Sequence, residues 1–258
     1  MKDYGLVSII TPSYNSSEFI ADTIEGILKQ TYQNWELLIT DDCSTDNSVE
    51  IIKSYALKDS RIKLWQLEEN SGAGICRNKS IEAAQGRYIA FCDSDDVWMP
   101  AKLEMQLLFM ENKGCALVYS SYMLMNEQKE VTGIVVCRKK EDFASVRRDC
   151  KIGCLTAMYD TLKVGKVYMP PIRKRQDWGL WLKILKRCKV AYGVKEPLAY
   201  YRVRAGSISN KKLSLIKHNI NVYRTVLQYS TCKAYFFFYF VFLPCYLLKK
   251  VSVRLNSL

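Results

Sequence analysis

Asp93, Ser94, Asp95 and Asp96 place three carboxylates within four residues, directly after the apolar run Tyr88–Cys92. Like charges held that close repel one another and are costly unless a cation or water compensates. Oxygen donors in a loop suit Mg2+ or Mn2+, hard cations that also bind substrate phosphates. A solvated acidic turn before a helix is the simpler reading, because acids are favoured at helix N-termini. For an isolated DxD triplet the simpler reading wins. Here the triplet follows a buried run and other acids occupy comparable places, which favours a functional site.

Asp41-Asp42-Cys43-Ser44 closes another apolar run. One of its acids could cap the following helix, or face a nucleotide crevice and accept a base N–H or ribose hydroxyls. Tyr14 offers a ring on which a base could stack. Gly72-Ala73-Gly74-Ile75-Cys76-Arg77 lacks the third glycine of GxGxxG and the GK[ST] of a P-loop, so it supports neither dinucleotide nor ATP binding. Arg77 could still meet a phosphate or a base. Gln176-Asp177-Trp178 begins an amphipathic helix in basic surroundings. Its acid either favours the helix N-terminus or takes a proton from a substrate hydroxyl, and spacing leaves the two readings balanced.

Composition removes other chemistries. The one histidine, His218, lies in the polar stretch Lys217-His218-Asn219 and reads as a surface residue, so Ser-His-Asp, Cys-His and zinc chemistry are not expected. Ten cysteines are scattered from Cys43 to Cys245 without a CxxC. The apolar run Leu6–Ile10 is too short for a signal peptide, so we expect no secretion and reduced thiols. The net charge of +12 is divided unevenly: residues 1–130 carry −8 and residues 131–258 carry +20. A half that basic suits an anionic partner such as a diphosphate, a membrane surface or nucleic acid, or is a solvated face. No nucleic-acid-binding module is recognisable, so nucleic acid is not expected.

The elements that must position these residues alternate over residues 1–115. Apolar runs at Leu6–Thr11, Trp35–Thr40, Ile62–Leu67 and Tyr88–Cys92 read as buried strands. Between them run helical patterns: Phe19 to Leu28, Thr45 to Ala56 with Ser44 as N-cap, and Arg77 to Ala84. Another opens at Pro100, with Leu103, Leu107 and Met110 inward. Short βαβ joints predict a parallel twisted sheet covered by helices on both faces, with ligands at the carboxyl ends of the strands. Thr11–Asn15, Asp41–Asp42 and Asp93–Asp96 all fall at such ends. In the second half, Ala116–Met125 reads as a strand, Arg138–Lys151 as loop and helix, and a helix starts near Asp177. Ala191–Val194 and Leu198–Val203 read as two short strands, and the chain from Leu213 as helical.

Taken together the chain resembles the family 2 glycosyltransferases, which have the GT-A fold. The resemblance runs through Val7–Asn15, Leu28–Tyr32, Asp41–Asp46, Asn70–Gly72, Arg77-Asn78 and Gly86–Ile89. It continues with Asp93–Asp96, Arg175–Trp178, Tyr200–Val203 and Gly206–Ser209, so it spans roughly residues 4–212. The look is that of bacterial enzymes building O-antigen, capsule or teichuronic-acid repeats. It implies a GT-A domain over 1–212, with a nucleotide-binding half to about 115 and an acceptor half from 116, followed by a C-terminal helical segment 213–258. It implies inverting transfer of a sugar from a nucleotide-sugar donor, UDP by family habit, to a hydroxyl of a glycan or polyprenyl-diphosphate-linked acceptor. Pro12, Tyr14 and Asp42 would hold the base and Arg77 the nucleotide. Asp93 would meet the ribose or the metal, Asp95 would bind the Mn2+ or Mg2+ that bridges the diphosphate, and Asp177 would be the general base. Many relatives have a histidine where Arg204 stands. Arginine cannot ligate a metal, so Arg204 would pair with the diphosphate.

Ala234–Leu248 carries no charge and lies between Lys233 and Lys249-Lys250. As a helix its 15 residues reach ~22 Å, short of a ~30 Å hydrocarbon core, and Pro244 interrupts it. We expect an interfacial or re-entrant anchor that places a cytoplasmic chain peripherally on the inner face of the cell membrane. The alternative is packing on its own domain or on a second subunit of a homo-oligomer. Two other functions compete with the transferase. A sugar-phosphate nucleotidyltransferase should carry a Gly-rich phosphate loop where Thr11-Pro12-Ser13-Tyr14 stands, and a non-catalytic sugar- or lipid-binding module should have lost Asp95 and Asp177.

Overall fold

The computed structural model describes residues 2–204 and 215–247. Leu213, the Gly206–Ser209 part of the motif set, Leu248 and Lys249-Lys250 lie outside the described residues.

The apolar runs of the first half form four parallel strands. They are β1 (Val7–Ser13), β2 (Trp35–Asp41), β3 (Ile62–Gln66) and β4 (Tyr88–Phe91), joined through helices α1 (Ile20–Leu28), α2 (Ser48–Ala56) and α3 (Ala73–Ala83). The spatial order is β3-β2-β1-β4. Every residue of β1, β2 and β4 is buried, as strands covered on both faces require. Alternate residues feed two cores. Val7, Ile9, Leu37 and Ile39 pack with Ile20, Ile24 and Ile27 of α1, whereas Ile10, Leu38, Ile89 and Phe91 face Ile81 of α3.

Proline in a central strand would normally cost a ladder hydrogen bond. In β1 the carbonyls of Leu6 and Ile10 accept from Tyr88 and Cys92, so even-numbered residues face β4. Pairing with β4 ends at Ile10, and the missing N–H of Pro12 therefore falls beyond the ladder, at the open end of the sheet. Gly86 is fixed by proximity: an added Cβ would lie 2.6 Å from the Ser8 backbone nitrogen. Buried Glu36 locks the same corner, accepting from Ser8 Oγ at 2.6 Å and Gln85 N at 2.7 Å.

Beyond β4 the sheet becomes mixed. After β5 (Val97–Trp98) and α4 (Lys102–Lys113) come β6 (Leu117–Met125), β7 (Val131–Val135), β8 (Lys140–Asp142) and α5 (Phe143–Arg148). Then follow β9 (Met158–Asp160), α6 (Thr161–Val164), α7 (Gln176–Cys188) and β10 (Val190–Arg202). The order continues from β4 as β9-β6-β10-β5, with β9 antiparallel to both β4 and β6. Instead of two short strands, Val190–Arg202 is one strand whose register against β6 shifts on both sides of Pro197. Proline has no N–H for the ladder, so the strand bulges there and resumes. Its far end pairs with β5, Ala199 opposite Trp98 and Tyr200 opposite Val97. That pairing delivers Arg202 to the acidic loop immediately before β5.

The C-terminal segment contains α8 (Leu215–Asn221), a wide π-type turn Val222–Val226, α9 (Thr231–Phe237) and a second wide turn Phe238–Phe242, then stays helical to Leu247. Pro244 does not interrupt this helix. The wide turn before it takes up a residue, the Leu243 N–H bonds back to Phe238, and the proline is accommodated without a break. One face packs on the domain: Phe238 and Phe242 are buried, and Phe242 lies 5.6 Å from the Trp178 ring. The opposite face shows Tyr235, Phe236, Tyr239, Phe240 and Leu247 to solvent. No helix among the described residues is long and apolar enough to cross a membrane.

Candidate active site

At the carboxyl ends of β1, β2 and β4 the sheet opens toward α7, and the three acids of the DxD loop take different positions. Asp93 pairs with Arg77 at 2.5 Å and Asp95 with Arg204 at 2.6 Å. Asp96 is buried and accepts the backbone N–H of Arg202 at 3.0 Å. The Arg202 guanidinium, itself buried, donates to the Asp95 carbonyl at 2.9 Å and to Asp22 at 2.9 Å, and it lies 4.9 Å over the Phe19 ring. Thr23 Oγ1 donates to the Asp96 carbonyl at 2.7 Å. The loop is thus clamped between α1 and the end of β10, with Asp93 and Asp95 left toward the crevice.

Electrostatics separate the acids further. Burial, and then the like charge of Asp93, push the Asp95 carboxyl above its ordinary range. Burial followed by Asp95 and Asp93 push Asp96 well above it. Burial opposes the charge on Arg77, but Asp93, with a smaller contribution from Asp177, outweighs it and holds the guanidinium above its usual value.

The β1 and β2 ends are tied together. Asp41 is fully buried and accepts from Ser13 Oγ at 3.0 Å and from Ser44 through both N (2.8 Å) and Oγ (2.6 Å). Ser44 is therefore not the N-cap of α2. Its hydroxyl is spent on Asp41, and Asn15 N donates to it at 2.9 Å. Asp46 binds the start of that helix instead, through Ser48 N at 3.0 Å, and also accepts from Ser17 N at 3.0 Å. Burial disfavours its charge, yet these hydrogen bonds hold Asp46 at about 2. Asp42 accepts from Ser71 N at 2.7 Å and Gly72 N at 2.9 Å, tying β2 to the start of α3. Pro12 is buried at the end of β1, and Tyr14 stands 50% exposed beside it, open to a ligand.

Asp177 arrives from the other half of the chain. Arg175, just before α7, adopts φ +65°, and Asn15 and Cys43 at the neighbouring strand ends have φ +44° and +64°. Left-handed backbone at non-glycine residues is costly and collects at functional sites. Gln176 packs against Gly74, where an added Cβ would lie 3.0 Å from Gln176 Cγ, so the starts of α3 and α7 abut. Trp178 anchors the turn from behind, donating Nε1–H to the Val146 carbonyl at 2.7 Å. Asp177, partly exposed, thereby comes within electrostatic reach of Arg77, Cys150 and Cys154.

The structure gathers Pro12, Tyr14, Asp42, Arg77, Asp93, Asp95, Asp177 and Arg204 around one end of the sheet. It adds Arg202 and Asp22, which spacing did not single out because their role depends on the β5–β10 pairing. His218 is not a plain surface residue. It is half-buried, and burial followed by Lys174, Lys217 and Arg175 lowers its pKa. Its neighbour Asn219 accepts from Arg175 Nε at 3.0 Å.

Residues 8–147 match the sequence profile of Glycosyl transferase family 2. The chain is 44% identical over 230 residues to TuaG of Bacillus subtilis (strain 168), named for teichuronic acid biosynthesis, covering 89% of this chain and 91% of that one. The chain belongs to glycosyl transferase family 2. A second family 2 relative at 38% identity over 237 residues, covering 92% of each chain, is WfgD of Escherichia coli. WfgD is named a UDP-Glc:alpha-D-GlcNAc-diphosphoundecaprenol beta-1,3-glucosyltransferase. The family fold recurs in S. aureus TarS 1-349 in complex with UDP-GlcNAc, with a TM-score of 0.70 at 21% identity over 90% of this chain and 70% of that one. It recurs too in the mannosyltransferase PcManGT of Pyrobaculum calidifontis in complex with GDP-Man and Mn2+, with a TM-score of 0.66 at 17% identity over 88% and 65%. This family 2 chain is a glycosyltransferase with a GT-A-like α/β sheet.

Proposed function

We propose that this glycosyltransferase is metal-dependent and inverting, and moves a sugar from a UDP-sugar to a hydroxyl of a lipid-linked sugar in surface polysaccharide biosynthesis. One observation carries the reading. Asp177, from the acceptor half, and Asp93, from the nucleotide half, both act on one buried arginine, Arg77, while Asp95, two residues along the same loop, pairs with Arg204. This supports a reading in which a proton acceptor, Asp177, works beside arginines and a carboxylate-held cation that would compensate the leaving charge, as a single displacement at an anomeric carbon requires.

In this reading Asp177 takes the proton of the acceptor hydroxyl, whose oxygen attacks the anomeric carbon from the face opposite the diphosphate. The bond to the diphosphate oxygen breaks, and the configuration inverts. Tyr14 stacks on the base over Pro12. Asp42 has one carboxylate already engaged by two N–H groups and uses its remaining lone pairs for the base N–H. Arg77 and Arg204, now paired with Asp93 and Asp95, exchange those partners for phosphate oxygens when the donor binds.

The donor set fits Mn2+ or Mg2+. Asp93 and Asp95 are hard oxygen ligands on one loop, and their mutual repulsion is what a cation relieves. Among the described residues no third His, Cys, Asp or Glu groups with them, so Asp93 and Asp95 would be the residues that hold the cation. When bound, the cation supplies Lewis-acid compensation for the charge gathering on the departing nucleoside diphosphate.

The acceptor class is supported by the similarity to WfgD, whose name specifies a diphosphoundecaprenol-linked sugar, and by the exposed aromatic face of the tail helix. That face, on a chain with +20 in its second half, suits peripheral binding to the cytoplasmic leaflet. A non-catalytic module is disfavoured because the acids are present and converge.

The test is nucleoside diphosphate release from UDP-, GDP- and dTDP-sugars with Mn2+ or Mg2+ and lipid-linked sugar acceptors, alongside Asp95→Ala and Asp177→Ala. Metal-dependent turnover of one donor, lost in both variants, is expected. Turnover that survives Asp177→Ala would remove it as the base, and turnover indifferent to a chelator would remove the metal.

A further inference from the structure

A cavity of about 170 Å³ lies apart from the nucleotide crevice, lined by Arg138, Ser145, Arg148, Asp149, Lys151 and Cys245. Its walls come from three places: the loop before β8, α5 with the segment that follows it, and the far end of the tail helix. The volume is well above the ~10–15 Å³ that one water needs, so a phosphate-sized group enters without rearrangement. Arg138, Arg148 and Lys151 face Asp149, and the buried Glu141 behind them lies within electrostatic reach of Arg138 and Lys151, so three cations meet two carboxylates. Arg138 is loosely matched by Glu141 at 3.8 Å, and among the described residues neither Arg148 nor Lys151 forms an ion pair. The excess positive charge calls for an anion with several oxygens.

The position of the cavity narrows what that anion is. On one side stands the tail helix, whose outward Tyr235, Phe236, Tyr239 and Phe240 form an apolar surface. On the other side α5 is bolted to the catalytic half of α7 through Trp178 Nε1 and the Val146 carbonyl, 2.7 Å apart. Tyr223 Oη donates to the Arg147 carbonyl at 2.9 Å, and Arg147 donates to Tyr229 Oη at 3.1 Å, which fixes α5 to the tail segment as well. Cys150, between the lining residues Asp149 and Lys151, lies close enough to Asp177 that burial and then this carboxylate raise its thiol pKa. The sequence of surfaces is therefore apolar helix face, cationic cavity, proton acceptor.

A lipid-linked sugar acceptor has the same order of parts: an apolar chain, a diphosphate and a sugar bearing the attacking hydroxyl. We infer that the cavity between α5, the loop before β8 and the tail helix seats the diphosphate of the acceptor, with Arg148 and Lys151 as its principal ligands. The inference rests on the lipid-linked reading of the acceptor given above. It makes Arg148 and Lys151 selectivity residues: they distinguish a diphosphate-linked sugar from the same sugar on an uncharged aglycone.

The experiment compares wild type with Arg148→Gln/Lys151→Gln on two acceptors, a sugar-diphospho-lipid and the alkyl glycoside of the same sugar. Both side chains reach solvent, so the fold tolerates the change, and circular dichroism checks this. For the diphospho-lipid, KM should rise about tenfold or more with kcat little changed, because charge-assisted contacts to the ground-state diphosphate are lost. For the alkyl glycoside, KM should move less than twofold. An equal KM change on both acceptors, or none on either, overturns the subsite while leaving the transferase reading intact. Wild type that uses neither acceptor, yet binds UDP-sugar, overturns the lipid-linked reading and the subsite together. Flotation with phosphatidylcholine vesicles, with and without phosphatidylglycerol, separates the other source of phosphate. Loss of anionic-vesicle binding with an unchanged diphospho-lipid KM assigns the cavity to bilayer headgroups and overturns the proposal.

Discussion

Arg77 reaches the Asp93 carboxylate at 2.5 Å from a site where its own residue is only 6% exposed. A buried guanidinium is expensive to keep without a partner, yet its Nε finds none among the described side chains. The ion pair satisfies one end of the guanidinium and leaves Nε without a partner, which fits the role proposed for Arg77 between Asp93 and Asp177.

Replacing it should separate catalysis from stability. Asp93 keeps about a third of its side chain in solvent, so it rehydrates when Arg77 is removed. Arg77→Met should lower thermal stability only modestly but reduce kcat/KM by about 10² or more. Arg77→Lys should not restore activity, because a single ammonium cannot reproduce the guanidinium fork. Steady-state kinetics with a thermal melt decides this, and wild-type kcat/KM in Arg77→Met would remove Arg77 from the site.

Two acids of the loop, Asp95 and Asp96, should respond differently to the same isosteric change. Asp96→Asn keeps an oxygen for the Arg202 N–H at a buried site and removes a carboxyl that burial already pushes toward neutrality. Its activity should stay within about tenfold of wild type, whereas Asp95→Asn should lose about 10² or more in kcat. Nucleotide-release rates at saturating Mn2+ check the pair, and equal losses would contradict the division of roles.

The two faces of the tail helix should also be separable. Phe242→Ala opens a hole against Trp178 and should cost ~3–5 kcal/mol in stability. Phe236→Ser/Phe240→Ser alters only exposed rings, so it should leave the melting temperature nearly unchanged while weakening flotation with anionic vesicles severalfold. If vesicle binding is indifferent to the outer-face change, the exposed rings serve another contact.

Lys102 gives a pH prediction independent of the active site. It is fully buried, donates to Gln106 at 2.7 Å, and burial lowers its pKa from 10.5 to about 7. Between these values the unfolded chain holds a proton that the folded chain does not, so stability rises with pH across that window. The slope from this group is at most ~1.4 kcal/mol per pH unit, and below about pH 7 it contributes none. Urea unfolding at pH 7 to 10 should show the rise, and Lys102→Met should flatten it. An identical slope in the variant would mean that Lys102 stays charged in the fold.

Chain order by itself determined the first half of this protein. Strands buried on both faces leave a continuous apolar signature, and short βαβ joints allow one handedness, so the acids after Thr40 and Cys92 had to fall at one end of the sheet. The motif set named the family because its residues occur in order, whatever their spatial arrangement. What tertiary structure alone decided is where each acid lies and what it contacts. Asp96 is withdrawn into the core because β5 pairs with β10 and brings Arg202 over it, a contact between residues more than a hundred positions apart. Ser44 lost its predicted cap because buried Asp41 had the stronger need of its hydroxyl. In sequence Pro244 reads as a break in the aromatic tail, but a wide helical turn absorbs it, and packing on Trp178 decides which rings are buried. Local pattern reads what each segment buries on average, whereas long-range pairing decides which particular charge ends up beside which.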